Sequence, residues 1–428
     1  MDGTSMEPKK HEKPGPRIEI VSRNVMADRK PKIWVRGFEF YSHVDVTAET
    51  VDDTGRNWRS VTPYTLNPQG CLEIAAAESD GESFDDIDPW EIFDSMRPVD
   101  DPEGPVPLFA KTTTDPLVVD IGATAPNGDS AQSSLRLHVF DEATTVREEV
   151  RDGTLQGTLF CPRGDGPFPV VVCVSGSDGW FTEPRPALLA SHGIATFSVA
   201  YFGGELPTKE LSEVPLEFFD RAVAWLAEYP KVDTGRMGIY GYSKGGELAL
   251  LLASRDERIR GVVAYSPSSV VWQNPKAGAP KSSWTAGGVP LPFVKMHFSG
   301  MTILKLMTGR PIAFHEVYEQ GMEKHPENAI EARIPVEQIS CPVFLVSGTE
   351  DAVWPSGKMA DSVEESLKAA GVPVTHLKYT GAGHLTTLPG LPAPEVTDDL
   401  IFGGTSIKSS RALEDAWQKM VAFFTTHL

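Results

Sequence analysis

A serine set between glycines is the first place where this sequence could do chemistry. Gly241-Tyr242-Ser243-Lys244-Gly245 is a G-x-S-x-G, with Gly246 behind it. A serine hydroxyl becomes a good nucleophile only when a base takes its proton and a third group orients that base. Candidates for both follow in the chain. Glu350 and Asp351 come just after the apolar run 343–347, and Gly381-Ala382-Gly383-His384 comes just after the run 375–379. Asp351 is the preferred acid, with Glu350 the alternative, and His384 is the base. His192, His297, His315, His325, His376 and His427 read as surface or core histidines by comparison. A serine, a carboxylate and a histidine in that order can attack a carbonyl, hold the acyl group covalently and release it to an acceptor.

Such residues need a scaffold that presents them together. The serine requires a sharp strand-to-helix turn, and here the strand-like run 236–240 precedes it and a helical run follows it. Around it, apolar strands at 154–160, 169–174, 195–201, 259–266, 343–347 and 375–379 alternate with helical patterns at 184–192, 216–227, 245–254, 357–370 and 412–427. This alternation predicts an α/β hydrolase with a doubly wound, mainly parallel sheet over 146–428. A negative tetrahedral intermediate also needs two backbone donors. One is assigned to the N–H of Lys244 and the other to Ser177 or Asp178, in the loop after 169–174. The Lys244 side chain reads either as a surface cation or as the partner of Glu247 at i+3. The stretch from about 267 to 332 interrupts the alternation and is rich in Pro, Gly and aromatics, which suggests a lid.

Upstream, residues 17–142 read differently. Seven short alternating or β-branched runs, at 17–22, 32–36, 43–50, 58–65, 71–75, 117–121 and 134–140, are separated by turn clusters. They predict an immunoglobulin-like β-sandwich domain. The acidic segment 80–101 reads as a long loop with a helical turn, and 1–16 as a disordered tail.

Composition narrows the partners. The 428 residues carry 39 Lys and Arg against 59 Asp and Glu, a net charge of −20. That argues against a dedicated nucleic-acid binder and equally against binding an anionic membrane through a polybasic face, while leaving room for a small anionic ligand in a local basic pocket. No apolar run is long enough to span a membrane. The start has no apolar segment of the kind a secretory signal needs, and the four cysteines form no CxxC pair. The expectation is a cytoplasmic protein with reduced thiols, no metal and no bound cofactor.

Several stretches resemble the type I acyl-CoA thioesterases together with bile acid-CoA:amino acid N-acyltransferase. Ser243-Lys244-Gly245-Gly246-Glu247 is similar to that family's S-K-G-G-E elbow, and Glu350-Asp351 with Trp354-Pro355-Ser356 to its D-D-x-x-W-x-S. Val35-Arg36-Gly37-Phe38, Gly157-Thr158-Leu159-Phe160 and Ala416-Trp417 extend the similarity over nearly the whole chain. The resemblance implies that Ser243, Asp351 and His384 act on a CoA thioester. It associates serine at the nucleophile with hydrolysis and cysteine with transfer to an amino acid. Acyl transfer to an amine, an alcohol or an intramolecular nucleophile, and hydrolysis of an ester or a carrier-bound thioester, remain as alternatives. A similar catalytic half occurs in dienelactone hydrolases and prolyl-peptidase-like esterases. Trp180, Tyr242, Trp272 and Trp354 are the candidates for contact with the acyl thioester substrate. Its phosphates would need local cations, with Lys244 and Arg185 as the candidates. The loop 175–180 departs from the family's glycine-rich one by its bulk and its charge.

Overall fold

The computed structural model describes residues 15–76, 79, 88, 90–177, 179, 182–275 and 279–428. Apart from Gly15 and Pro16, the expected tail 1–16 lies outside them, as do most of 80–89, Asp178 and Trp180.

Eight strands make the central sheet: β1 (Thr145–Asp152), β2 (Leu155–Pro162), β3 (Phe168–Val174), β4 (Ala195–Ala200), β5 (Val232–Tyr242), β6 (Ile259–Tyr265), β7 (Val343–Gly348) and β8 (Val374–Tyr379). Their order is β1-β2-β4-β3-β5-β6-β7-β8. The first two pairings are antiparallel and the remainder parallel. The sequence reading missed β1 because its charged segment shows no apolar alternation and forms an exposed edge.

Inner strands bury both faces, so successive residues feed opposite cores. Tyr240, Val263, Phe344 and Val346 join one apolar cluster with α1 (Pro184–Ala190) and the C-terminal helix. Ile239, Val262, Val343 and Leu345 join the other, with α2 (Phe218–Glu228) and α3 (Lys244–Ala253). Between β6 and β7 the chain forms α4 (Gly300–Leu306), α5 (His315–Lys324) and α6 (Pro326–Glu331). It also forms a ribbon in which Trp284–Ala286 pairs with Val214–Pro215 and Val289–Pro290. Two helices complete this half, α7 (Ser356–Ala369) and α8 (Ser406–His427).

Residues 17–138 hold nine described strands in a six-stranded and a three-stranded sheet. His43–Val51 and Asn57–Thr65 alternate buried and exposed residues, as one-sided strands do. The apolar core of these sheets continues without a break into the underside of the central sheet through α8. Asp28 fastens the two: its Oδ2 accepts from Trp417 Nε1 at 2.9 Å and lies 2.5 Å from His192 Nε2, while its carbonyl accepts from Gln418 Nε2.

An acidic group sits at the same junction. Carboxylate oxygens of Asp88, Asp94 and Glu414 lie within 4.8 Å of one another, with Arg411 bonded to Asp88 at 2.7 Å. Burial, then the neighbouring carboxylates, holds the Asp94 and Glu414 pKa values well above the ordinary range, with Lys30 and Arg411 opposing weakly. The folded state therefore keeps protons that the unfolded chain sheds once pH rises past the usual carboxyl range. Native stability falls by about 1.4 kcal/mol per pH unit for each such proton until the folded pKa is reached. Glu414→Gln is expected to raise the melting temperature by several degrees more at pH 8 than at pH 5. Equal shifts at both pH values in a thermal melt would refute this account.

Candidate active site

The elbow is built by backbone crossing. Ser243 has φ 54° and ψ −125°, a region that disfavours side chains, and it caps the start of α3. A side chain at Gly241 would sit 2.0 Å from the Gly245 carbonyl oxygen, and one at Gly245 2.2 Å from that of Ser175. Glycine is required at both places. The Ser243 N–H is bonded to Tyr265 O at 2.9 Å, which hangs the elbow from the end of β6.

The acid and the base hang from the next residue. Ser266 Oγ accepts from Leu385 N–H at 3.0 Å, and Ser266 O accepts from Trp354 Nε1 at 3.1 Å. His384 Nδ1 lies 2.8 Å from Asp351 Oδ2, with both side chains buried. Ser356 Oγ donates to the same oxygen at 2.5 Å, and Val353 and Trp354 N–H donate to Oδ1 at 2.9 and 3.2 Å. The imidazole is held edge-on between Trp354 and Phe402, at centroid distances of 6.1 and 5.6 Å. Glu350, one residue earlier, is exposed. Asp351 is therefore the carboxylate that can fix the tautomer, leaving His384 Nε2 to accept a proton. The Ser243 hydroxyl makes no hydrogen bond to a described residue, a looseness common before substrate binds.

As first residue of α3, Lys244 has no intrahelical partner for its N–H. Ser177 N–H likewise meets no backbone acceptor among the described residues. Its loop is pinned by Tyr201, whose hydroxyl lies 2.7 Å from Ser175 O and 2.6 Å from Gly176 O. Tyr201 lies far from that loop in sequence, so nothing local marked it. Tyr201→Phe is expected to lower kcat about tenfold with KM nearly unchanged, because a loosened donor is felt mainly by the transition state. A rise in KM alone would overturn this assignment.

Four expectations need correction. Lys244 and Arg185 are not surface cations. Lys244 Nζ is buried 2.6 Å from Glu247 Oε1, which also accepts from Trp284 Nε1 at 2.7 Å. Burial pushes Glu247 up and Lys244 down against their mutual attraction. The i+3 spacing predicted the pair but not its depth, since every residue of α3 is buried. Arg185 lies under the elbow against the rings of Tyr240, Tyr242 and Tyr265, at 5.4–5.8 Å, and bonds the Tyr240 hydroxyl. Neither cation can meet a phosphate there. Trp272 and Trp354 are 0% and 1% exposed and offer no face to a ligand. Trp272 instead bonds Ser268 and stacks edge-on against Tyr318, filling the insertion's own core. Tyr242 is half-buried beside Ser243 and against Gly176, while Trp180 and Asp178 fall outside the described residues. A second cluster of potential metal ligands, Asp361, Glu364 and His376, is engaged with Lys378, Lys368 and Ser347 and includes no residue of the elbow.

A central sheet in this strand order, with a positive-φ serine where β5 turns into α3, defines an α/β hydrolase. Its lineage is carried by both halves. Residues 28–154 match the acyl-CoA thioester hydrolase/BAAT N-terminal region, and 214–428 match the BAAT/acyl-CoA thioester hydrolase C terminal. The chain belongs to this family of hydrolases. It is 28% identical over 412 residues to the peroxisomal succinyl-coenzyme A thioesterase of Mus musculus, covering 94% of each chain. It is 26% identical over 421 residues to acyl-coenzyme A thioesterase 6 of Homo sapiens, again covering 94% of each. Human mitochondrial acyl-coenzyme A thioesterase 2 is 28% identical, over 94% of this chain and 82% of that one. Among solved structures, a dienelactone hydrolase from Anabaena variabilis aligns with TM-score 0.39 and 17% identity, over 67% of this chain and 99% of that chain. A Mycobacterium tuberculosis puromycin-hydrolyzing peptidase aligns with TM-score 0.44 and 15% identity, over 89% and 53%.

Proposed function

We propose that this chain hydrolyses the thioester of an acyl-CoA through an acyl-enzyme on Ser243. One observation carries the reading. A strained elbow serine and a hydrogen-bonded Asp351–His384 pair are tied to consecutive residues, Tyr265 and Ser266, at the end of one strand. His384 Nε2 takes the Ser243 proton as Oγ attacks the thioester carbonyl. The N–H groups of Lys244 and of the 176–178 loop receive the oxyanion. The C–S bond breaks, and the proton on His384 passes to the departing CoA sulfur. Water, deprotonated by His384, then attacks the acyl-serine and frees the carboxylic acid.

Serine at 243 and the thioesterase names of the relatives favour water as acceptor over an amine or alcohol. A fluorophosphonate probe is expected to label Ser243 in the intact protein. Purified protein should release CoA and free acid in equal amounts, and prefer acyl-CoA over nitrophenyl esters and carrier-bound chains. Conjugates with added amines, or a preference for oxygen esters, would replace this reading. We take 17–142 as a β-sandwich domain and 146–428 as the catalytic domain, with 267–332 as its lid. A cytoplasmic location goes with four unpaired thiols. Recovery of the protein with peroxisomes or mitochondria on fractionation would overturn it.

A further inference from the structure

In a chain with 59 Asp and Glu, residues 258–315 contain seven Lys and Arg and not one carboxylate side chain. The middle of that stretch is apolar as well as basic. The segment leaves the insertion at His297, whose N–H is bonded to Val317 O at 3.1 Å. It returns at Ile312, whose N–H is bonded to Asp399 O at 3.0 Å. Between these feet, α4 buries none of its residues. Met301, Ile303, Leu304, Leu306 and Met307 are between 44% and 80% exposed. At about 100° per residue they fill one broad arc of the helix, and Thr302 and Lys305 occupy the rest. Lys295, Lys305 and Arg310, which precede, belong to and follow α4 in the chain, are all exposed. None of the three has a carboxylate partner among the described residues, unlike Lys281 and Arg258, which are paired with Glu213 and Asp256.

A contiguous apolar surface of this kind marks a contact. Its rim of unpaired cations identifies the partner's charge. An apolar crest flanked by Lys and Arg matches the boundary between acyl chains and anionic headgroups. A second copy of the chain fits poorly, because a two-fold contact would set the cations against one another. The chain carries −20 overall, so an anionic leaflet repels most of it and favours approach through a face whose cations have no acidic partner. We propose that α4 and its flanking cations dock the chain on an anionic lipid bilayer. The docking does not depend on the chemistry at Ser243. It does place the membrane close to that chemistry: just beyond the second foot, His315 Nδ1 bonds the Asp351 carbonyl at 2.7 Å.

Flotation of the full chain with unilamellar vesicles tests this. With phosphatidylcholine containing about 30 mol% phosphatidylserine the protein is expected to float, and with phosphatidylcholine alone to stay behind. Raising salt to roughly 0.5 M should weaken binding by screening. The double variant Leu304→Asp/Met307→Asp and the single variant Lys305→Glu should each lower the bound fraction about tenfold. All three side chains are exposed, so folding is spared, and thermal melts of the variants should match that of the unsubstituted chain. Three results overturn the proposal. One is no flotation with anionic vesicles. Another is equal flotation of the variants. The third is a sedimenting dimer that the same substitutions dissolve, which would assign the surface to a second copy. Flotation and its loss are read without any turnover, so a failed Ser243 assignment leaves them intact.

Discussion

Replacing Ser243 by alanine is expected to lower kcat for acyl-CoA hydrolysis by about ten thousand- to a million-fold. The chemistry in the proposed mechanism passes through one atom, Oγ, and no other side chain at the elbow can form the acyl-enzyme. The substitution is also clean. Alanine keeps the Cβ that the φ of 54° already tolerates, and the lost hydroxyl has no hydrogen-bond partner among the described residues. Stability should therefore change by no more than about 0.5 kcal/mol. Thiol release from acyl-CoA and a thermal melt on the same preparation separate the two effects. Turnover within tenfold of the unsubstituted chain would remove Ser243 from the mechanism.

Asp351→Asn should cost about ten thousand-fold in kcat, while Glu350→Gln should stay within about twofold, since that side chain is exposed. The donors around Asp351 dictate how the amide sits. Val353 and Trp354 N–H point at Oδ1, so the amide oxygen must take that side. Its NH2 then faces Ser356 Oγ and His384 Nδ1, where Oδ2 had accepted. An imidazole facing a donor at Nδ1 carries its proton on Nε2 and cannot take one from serine. The signature is a large fall in kcat with substrate binding nearly unchanged. Equal losses for both variants would mean that the acid has been misassigned.

What could be read along the chain was local or periodic. The glycines of the elbow, the acid three residues beyond β7 and the histidine after β8 sit where strand ends must present chemistry, so the triad candidates and the alternating α/β pattern were visible together. The seven N-terminal runs were visible for the same reason, with period-two burial along 43–51 and 57–65. Contacts joining distant segments were not visible. Ser266, which braces both Leu385 and Trp354, is an ordinary serine in sequence. Asp28, which fastens Trp417 across nearly the whole chain, is one of many acids. Burial was the other blind spot. Lys244 and Arg185 look like solvated cations until α3 and the three tyrosines close over them, and Trp272 looks like a pocket wall until Tyr318 packs against it. The short helices α4, α5 and α6 lay in a stretch whose Pro and Gly content masked their periodicity.

The way α8 closes the junction has a consequence for the chain as it is made. Ribosomes release the N-terminal sheets first, but Trp417, Gln418 and Arg411, which bind Asp28 and Asp88, belong to the last helix. At about 5–20 residues per second, the face carrying Trp90, Ile92 and Phe93 waits roughly 15–60 seconds for its cover. Over that interval a nascent chain presents an apolar surface that the finished protein never shows. Binding of a chaperone to the emerging polypeptide should therefore persist until translation terminates, and a chain truncated just before Ser406 should remain chaperone-bound.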